Sequence, residues 1–198
     1  VVRVRGWVLG RAGYGGLRVG GWEITQGPGG CAWFVSGQVR PKGAREWQAI
    51  EAATERGVDG VVPWQDMRRI GIWRGGRAAR SRRKWESIVR AASKQSRRAR
   101  VPLTVALADQ AAVILRIDEA ALAVVLHEEA ALSLAGLELP TAGDVVLIVG
   151  PEGGISPDEL SAFVGAGAVA VRLGPGVLRS SSAGPAALAV MSAAGRWR

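Results

Sequence analysis

The stretch LIVGPEGGISPDEL, residues 147–160, carries the strongest fold signal in this chain. Its apolar half belongs to the continuous run DVVLIVG, which is typical of a strand covered on both faces in a parallel sheet. Its second half has Ser156 as N-cap, Pro157 at the first helical position and Glu159 in a capping box. The stretch therefore predicts a strand, a glycine-rich loop and a helix in succession.

Strand and helix patterns alternate on both sides of this stretch. Residues 44–56 predict a helix with Trp47, Ile50 and Ala53 on one face, and residues 58–64 a short buried strand. Residues 65–82 predict a loop, and residues 83–98 a helix with Trp85, Ile88, Val89 and Ala92 inward. Further strands follow in ALAVVLHEE and AVAVRLG, with a helix of small residues within 182–195. The alternation predicts an α/β domain that binds ligands at the carboxyl ends of its strands.

The first forty residues follow a different pattern. Short apolar stretches there are separated by turns such as GPGG, and RPKG at 40–43 has the composition of a linker. We expect a small β unit at this end. Because the chain opens with Val1 and not with methionine, an earlier natural start stays open.

Composition excludes several kinds of site. The 198 residues include one cysteine, Cys31, and one histidine, His127, so an internal disulfide and a multi-cysteine zinc site are excluded, and histidine-based metal or nucleophile sites are weakly supported. We expect no metal. The sequence has neither an apolar run of membrane-spanning length nor a signal peptide, which predicts a soluble, cytoplasmic protein with no membrane partner.

The positive charge is concentrated in one segment. The formal net charge is +9, and residues 68–100 contain 13 Lys and Arg against the single acid Glu86. Such a block indicates a polyanionic partner, most simply nucleic acid, although a solvated surface is the alternative. Trp64 and Trp73 flank the block and are candidates to stack on unpaired bases, the alternative being core positions.

Unusual residues follow three of the predicted strands, in VVLHEE (124–129), IVGPEGG (148–154) and the segment 171–184. In a parallel sheet these ends share one edge, where glycines let backbone approach a flat ligand closely. Neither a P-loop nor a dinucleotide fingerprint fits, because the first lacks its Lys-Ser/Thr and GAGAVA leaves a helix instead of a strand. Glycine content alone does not distinguish a tight turn from a ligand site in the loop 150–154.

Two of these loops resemble the paired signature of the RsmE family of SPOUT methyltransferases, which is close to GPEGG-[FIL]-[ST]-x-x-E and LGPRILRTETA. The chain has LIVGPEGGISPDEL and, at 173–188, LGPGVLRSSSAGPAAL. EAATERGVDGVVPW and RKWESIVRAASKQSRRARVP are similar to further family segments, so the resemblance runs from about residue 42 to 198.

The resemblance implies a SPOUT-type α/β parallel sheet with a deep carboxyl-terminal trefoil knot over residues 42–198. Residues 1–41 would be a partial PUA-like β-barrel that binds RNA. The implied function is methylation of N3 of a uridine in 16S rRNA, with S-adenosylmethionine as cofactor. The implied enzyme is a homodimer, acting on rRNA within the assembled small ribosomal subunit.

The resemblance also implies site residues. Arg179 would orient the RNA base or phosphate, unless it forms a structural ion pair at a dimer interface, and Glu152 would be either the base or a cap for neighbouring amides. The cofactor would lie on backbone and apolar side chains of the loops, at Leu126, His127, Gly150, Pro151, Glu152, Gly153, Gly154, Leu173, Gly174, Val177 and Leu178. Independently of the resemblance, the charge of residues 68–100 predicts RNA contacts at Arg68, Arg69, Arg74, Arg77, Arg80, Arg82, Arg83, Arg97, Arg98 and Arg100.

The chain departs from the family pattern beside this site. Ser180, Ser181 and Ser182 stand where Thr-Glu-Thr is usual, so a carboxylate is missing, and Gly176 stands where an Arg is common. Two alternatives therefore stay open: a SPOUT methyltransferase for another RNA or atom, such as a ribose 2′-oxygen, and a catalytically weakened RNA-binding protein. A lone histidine such as His127 at a strand end is more typical of packing or solvation than of catalysis.

Overall fold

The computed structural model describes residues 3–8, 19–25, 32–37, 44–64 and 76–196. Its strands are β1 (Arg3–Val8), β2 (Val19–Thr25), β3 (Ala32–Gly37), β4 (Gly60–Trp64), β5 (Leu103–Thr104), β6 (Leu122–Leu126), β7 (Leu132–Ser133), β8 (Val145–Val149) and β9 (Val169–Arg172). Its helices are α1 (Ala44–Glu55), α2 (Gly76–Gln95), α3 (Gln110–Glu119), α4 (Pro157–Gly165) and α5 (Ser180–Met191), with a 3-10 turn at Leu134–Gly136 and a π turn at Ser192–Arg196.

Seven of the described strands form one sheet in the order β5-β4-β3-β8-β6-β9-β7. Every neighbouring pair in this sheet is parallel. The prediction of an α/β domain with a parallel sheet is therefore confirmed. No helix within the described residues combines the length and the apolar character needed to cross a membrane.

Helices cover both faces of the sheet. On one face, α1, α2 and α5 pack in a cluster that includes Ile50, Trp85 and Leu188. On the other, α3 and α4 pack in a second cluster through Val113 and Phe163. The core thus lies in two layers, one on each side of the strands.

The central strand β8 explains why its sequence shows no polar alternation. Leu147 and Val149 belong to the first core cluster, whereas Val146 and Ile148 belong to the second. Because successive side chains of a strand point to opposite faces, a strand between two helical layers is apolar at every position. This pattern places the end of β8, where the glycine loop begins, in the middle of the sheet edge.

Strand β3 corrects the predicted amino-terminal β unit. It lies between β4 and β8, with Val35 opposite both Val62 and Ile148, and so belongs to the parallel sheet. A short apolar stretch does not reveal its pairing partners, one of which, β8, lies more than a hundred residues away. β1 and β2 form a separate antiparallel pair. The two-domain division at residue 41, apart from β3, stays a prediction.

Helix α2 begins at Gly76, so part of the segment predicted as loop is helical. Arg and Ala, which dominate residues 77–83, are good helix formers, and no proline interrupts them. Trp85, Val89 and Ala92 are buried as predicted, and Ile88 packs partly buried against them. Residues 65–75, which include Trp73, lie outside the described residues.

Of the two alternatives for Trp64, the core position is confirmed, whereas Trp47 is partly exposed at the helix surface. Trp47 is 37% exposed, because its ring lies beside Lys84 of α2 and not within the core. Trp64 is fully buried and packs edge to face on Phe163, with ring centroids 5.3 Å apart. It is therefore a core residue of the α4 face and is not available to stack on unpaired bases.

Candidate active site

A pocket of about 580 Å³ opens at the carboxyl edge of the sheet. The segments that follow β6, β8 and β9 line it together with the first turn of α5. These three strands are neighbours in the order β8-β6-β9, so the fold brings together loops that are far apart in sequence. The volume lies within the range of sites that hold a cofactor-sized molecule.

The pocket unites residues that the sequence analysis selected from three separate loops. Every predicted cofactor residue except Gly153 lines it, and so does Arg179. The sequence analysis did not select some other lining residues, among them Glu128, Ile155 and Arg172. Their positions in the sequence could have indicated them, because each lies within two residues of a predicted cofactor residue.

The pocket has a buried apolar floor and an exposed charged rim. Val149, Ile155 and Val171 are buried at the floor. The charged lining residues are all exposed, and they are Glu128, Glu152, Arg172 and Arg179. The apolar side chains of Val177 and Leu178 are exposed beside them. Such a site can hold an apolar or aromatic group at depth and a charged reaction centre near its mouth.

The glycine loop is shaped by close packing. A Cβ atom on Gly150 would lie 2.7 Å from Ile155 Cγ1, so only glycine fits there without movement. Gly154 has a φ of +73° and donates its N–H to the Pro151 carbonyl at 2.9 Å, closing a turn. The loop's conformation therefore depends on two glycines for different reasons.

A capping box anchors the end of this loop. The Ser156 hydroxyl accepts from the Glu159 N–H at 3.2 Å, and the Glu159 carboxylate accepts from the Ser156 N–H at 3.0 Å. The predicted box at the start of α4 is confirmed. It lets Glu159 be almost fully buried, because its carboxylate also accepts from the Ser156 hydroxyl at 2.7 Å.

Glu152 lies exposed at the tip of the loop and lines the pocket. Among the residues that the structure describes, none donates a hydrogen bond to its carboxylate. The alternative role of Glu152 as a cap for neighbouring amides therefore has no support in the described contacts, and the carboxylate oxygens can accept from a ligand.

His127 is held by three hydrogen bonds. Its backbone N–H donates to the Val171 carbonyl at 2.9 Å, its carbonyl accepts from the Ala130 N–H at 3.3 Å, and its Nδ1 accepts from the Glu129 N–H at 3.3 Å. A ring nitrogen that accepts carries no proton, so this network assigns the proton of the neutral ring to Nε2. Nε2–H is then the group of His127 that can donate to a ligand, because the backbone N–H already donates to Val171.

Arg179 follows the third loop and is the N-cap residue of α5. Its carbonyl accepts from the N–H groups of Ser182 and Ala183, both at 2.8 Å, while its side chain is exposed at the pocket rim. The positive end of the α5 dipole and the guanidinium thus lie on the same side of the pocket, where they favour negative charge.

The predicted RNA contacts fall into four groups, the fourth being Arg98. Arg68, Arg69 and Arg74 lie outside the described residues, and Arg77 is described by its backbone alone. Exposed side chains in the described part are Arg80, Arg82, Arg83, Arg97 and Arg100. Of these, Arg82 pairs with Glu86 at 3.0 Å.

Arg98 has a structural role. Its guanidinium donates to the carbonyls of Thr54, at 2.8 Å, and Val58, and it lies 3.4 Å from the Asp59 carboxylate. The side chain is 15% exposed. These bonds satisfy a carbonyl in the last turn of α1 and one just after the helix ends. The prediction of Arg98 as an RNA contact is corrected, because its guanidinium is engaged within the fold.

Comparison with known proteins identifies relatives. Residues 33–192 match the family model of an RNA methyltransferase domain. The chain is 42% identical to ribosomal RNA small subunit methyltransferase E of Mycobacterium bovis, over all of this chain and 77% of that protein. It is 29% identical to the Bacillus subtilis protein of the same name, over 77% of this chain and 62% of that one.

A solved structure agrees with these relatives. The chain is similar to the crystal structure of a ribosomal RNA small subunit methyltransferase E from Neisseria gonorrhoeae bound to S-adenosyl methionine, with a TM-score of 0.72 and 27% identity. The match covers 88% of this chain and 73% of that one.

Proposed function

Since the chain belongs to the ribosomal RNA small subunit methyltransferase E family of RNA methyltransferases, we propose that it methylates N3 of a uridine in 16S rRNA with S-adenosylmethionine. The observation that carries the proposal is the single pocket wall built from the Gly150–Gly154 loop and the 173–180 loop. These are the two segments in which the chain resembles the family signature.

The residues of the pocket fit S-adenosylmethionine. The buried floor of Val149, Ile155 and Val171 suits the adenine ring, and the glycine loop leaves backbone within reach of its polar edge. The cations Arg172 and Arg179 lie on the exposed rim and not on the buried floor. When bound, this cofactor supplies an electrophilic methyl group.

The chain's own residues then act on the uridine. Methylation at N3 requires loss of the N3 proton, and the exposed Glu152 carboxylate is positioned at the pocket rim to accept it. The charge that develops on the uracil oxygens is stabilised by the Arg179 guanidinium, helped by the amino-terminal end of α5.

Family membership also supports finer features. We infer that the carboxyl-terminal part forms the deep trefoil knot, that residues 1–41 include a PUA-like barrel segment, and that the enzyme acts as a cytoplasmic homodimer on the assembled small subunit. The positive segment 68–100 would hold the RNA backbone in this assembly.

A methyl-transfer assay tests the proposal. Labelled methyl donor is incubated with assembled small subunits or with naked 16S rRNA, and the modified nucleotide is mapped. We expect N3-methyluridine, preferentially in the assembled subunit. Modification of a ribose 2′-oxygen or of another RNA would contradict the assignment, and no transfer together with no donor binding would contradict the enzyme itself.

Two variants with matched controls test the residue roles. Arg179→Ala is expected to lower kcat/KM about 10²- to 10³-fold, the loss typical of one charge-stabilising donor. Glu152→Gln is expected to lower kcat by about 10²-fold or more. Arg172→Ala, at the same rim, and Asp158→Asn, in the first turn of α4 outside the pocket lining, are the controls. If either test variant keeps the activity of its control, its assigned role is wrong.

A further inference from the structure

Helix α2 presents a row of four cations to solvent. Arg80, Arg83, Arg90 and Lys94 are all exposed, and their spacing puts them on the side of the helix opposite the buried Trp85. At 1.5 Å per residue, the row is about 21 Å long. We call this row the α2 cation row.

The row is not neutralised by acids of the described structure. None of the four cations forms an ion pair with a described carboxylate. Glu86, the one acid of α2, pairs at 3.0 Å with Arg82, which lies on a different side of the helix. Unpaired guanidinium and ammonium groups in a row favour an extended polyanion.

A tryptophan extends this surface onto α1. Trp47 is 37% exposed, and Lys84 Nζ lies 4.6 Å from the centroid of its ring. A cation at this distance is attracted to the ring face and explores fewer rotamers than a free lysine. Lys84 is therefore held at the boundary between α1 and α2 by a contact that leaves its ammonium exposed.

The surface is on the helical layer that leads to the pocket. Helices α1, α2 and α5 pack on the same face of the sheet, and α1 contacts both α2 and α5. The first turn of α5 lines the pocket. The α2 cation row and the pocket are therefore connected through helices of one layer.

We propose that the α2 cation row, together with Lys84, binds the phosphate backbone of the RNA substrate, and that Trp47 is a positioning residue for Lys84. This inference rests on the proposed function for the identity of the RNA. From the 13 cations of residues 68–100 it selects the exposed row and Lys84, and it assigns to the exposed Trp47 a role that core packing does not explain.

The salt dependence of RNA binding tests the row. The full chain is titrated with a 16S rRNA fragment at several salt concentrations, and each phosphate contact contributes about 0.7 to 0.9 to the log–log slope. Arg83→Ala/Arg90→Ala is expected to reduce the slope by about 1.4 to 1.8, and Arg83→Lys/Arg90→Lys to retain it. Arg82→Ala is the control on the same helix, with a smaller expected change because Glu86 already offsets that charge.

The positioning role is tested by rescue. Trp47→Leu is expected to weaken RNA binding about 2- to 5-fold, whereas Trp47→Phe should bind with nearly the parent's affinity. In the Lys84→Ala background, Trp47→Leu should cause no further loss of RNA affinity. Leu115→Ala, an exposed apolar residue of α3, is the control for loss of surface area. Equal losses in both Trp47 variants, or a loss that persists without Lys84, would overturn the role of Trp47.

Methyl-donor binding separates this inference from the proposed function. Calorimetry with S-adenosylmethionine should give the parent's Kd in every α2 variant, which also shows that the variants are folded. If the parent protein methylates RNA and the double alanine variant binds RNA with the parent's salt slope, the proposed role of the α2 surface alone is overturned. If the double alanine variant has a reduced salt slope but the parent protein transfers no methyl group, the proposed function alone is overturned.

Discussion

Replacing Gly150 with alanine should disturb the pocket through one identified contact. The new Cβ would lie 2.7 Å from Ile155 Cγ1 and 3.3 Å from the Ile155 backbone nitrogen. Ile155 is 8% exposed and packs in the core cluster of the α4 face, so its side chain cannot turn into solvent without leaving that cluster. Either the side chain or the loop must move.

The expected cost follows from overpacking. An extra methyl group in a well-packed site costs about 1 to 3 kcal/mol, and we expect the free energy of unfolding to fall by that amount. Because Ile155 is part of the pocket floor, the relaxed protein no longer presents the same surface to the methyl donor. If binding must restore it, Kd rises by about 5- to 150-fold.

Urea unfolding and calorimetry with S-adenosylmethionine measure the two effects. Gly153→Ala is the matched control in the same loop, because a Cβ there has no atom within 4 Å. Adding Ile155→Ala removes Cγ1, so Gly150→Ala should then cost less than about 0.5 kcal/mol, a coupling of at least about 0.5 kcal/mol. The reasoning is refuted if Gly150→Ala matches Gly153→Ala in both assays, or if its cost is unchanged in the Ile155→Ala background.

Two further predictions concern side chains held by the fold. Arg98→Ala should lower the free energy of unfolding by about 2 to 3 kcal/mol, because charged hydrogen bonds to the Thr54 and Val58 carbonyls are lost, whereas Arg82→Ala should change it by less than about 1 kcal/mol. Denaturant titration compares the two variants, and equal costs would contradict the structural role of Arg98. His127→Gln, which keeps an N–H near the Nε2 position, should bind the methyl donor more tightly than His127→Asn; calorimetry that ranks them in reverse would contradict the assigned tautomer.

Local patterns along the chain predicted much of the domain. The unbroken apolar run of β8 indicated a strand between two helical layers, because a strand covered on both faces has no polar side. The capping box at Ser156 predicted the start of α4, since cap chemistry depends on residues three apart. Both signals lie within a few residues of the feature they predict.

The pocket was predictable only in part. Glycine-rich loops after three strands indicated a common edge, and the resemblance to a family selected residues that the structure does bring together. Nothing local distinguished Gly150, which is required by its contact with Ile155, from Gly153, which has open space around it. That distinction depends on where the following residues pack.

The sequence was sufficient for elements whose signals are short in range: the apolar strands, the capped helix, the glycine loops and the concentration of charge in residues 68–100. Three assignments needed the folded chain. β3 pairs with strands distant in sequence, Trp64 is core whereas Trp47 is exposed beside Lys84, and Arg98 caps α1 instead of facing solvent. The physical reason is common to all three, because strand pairing, burial and hydrogen-bond partners are set by contacts between residues that only folding brings together.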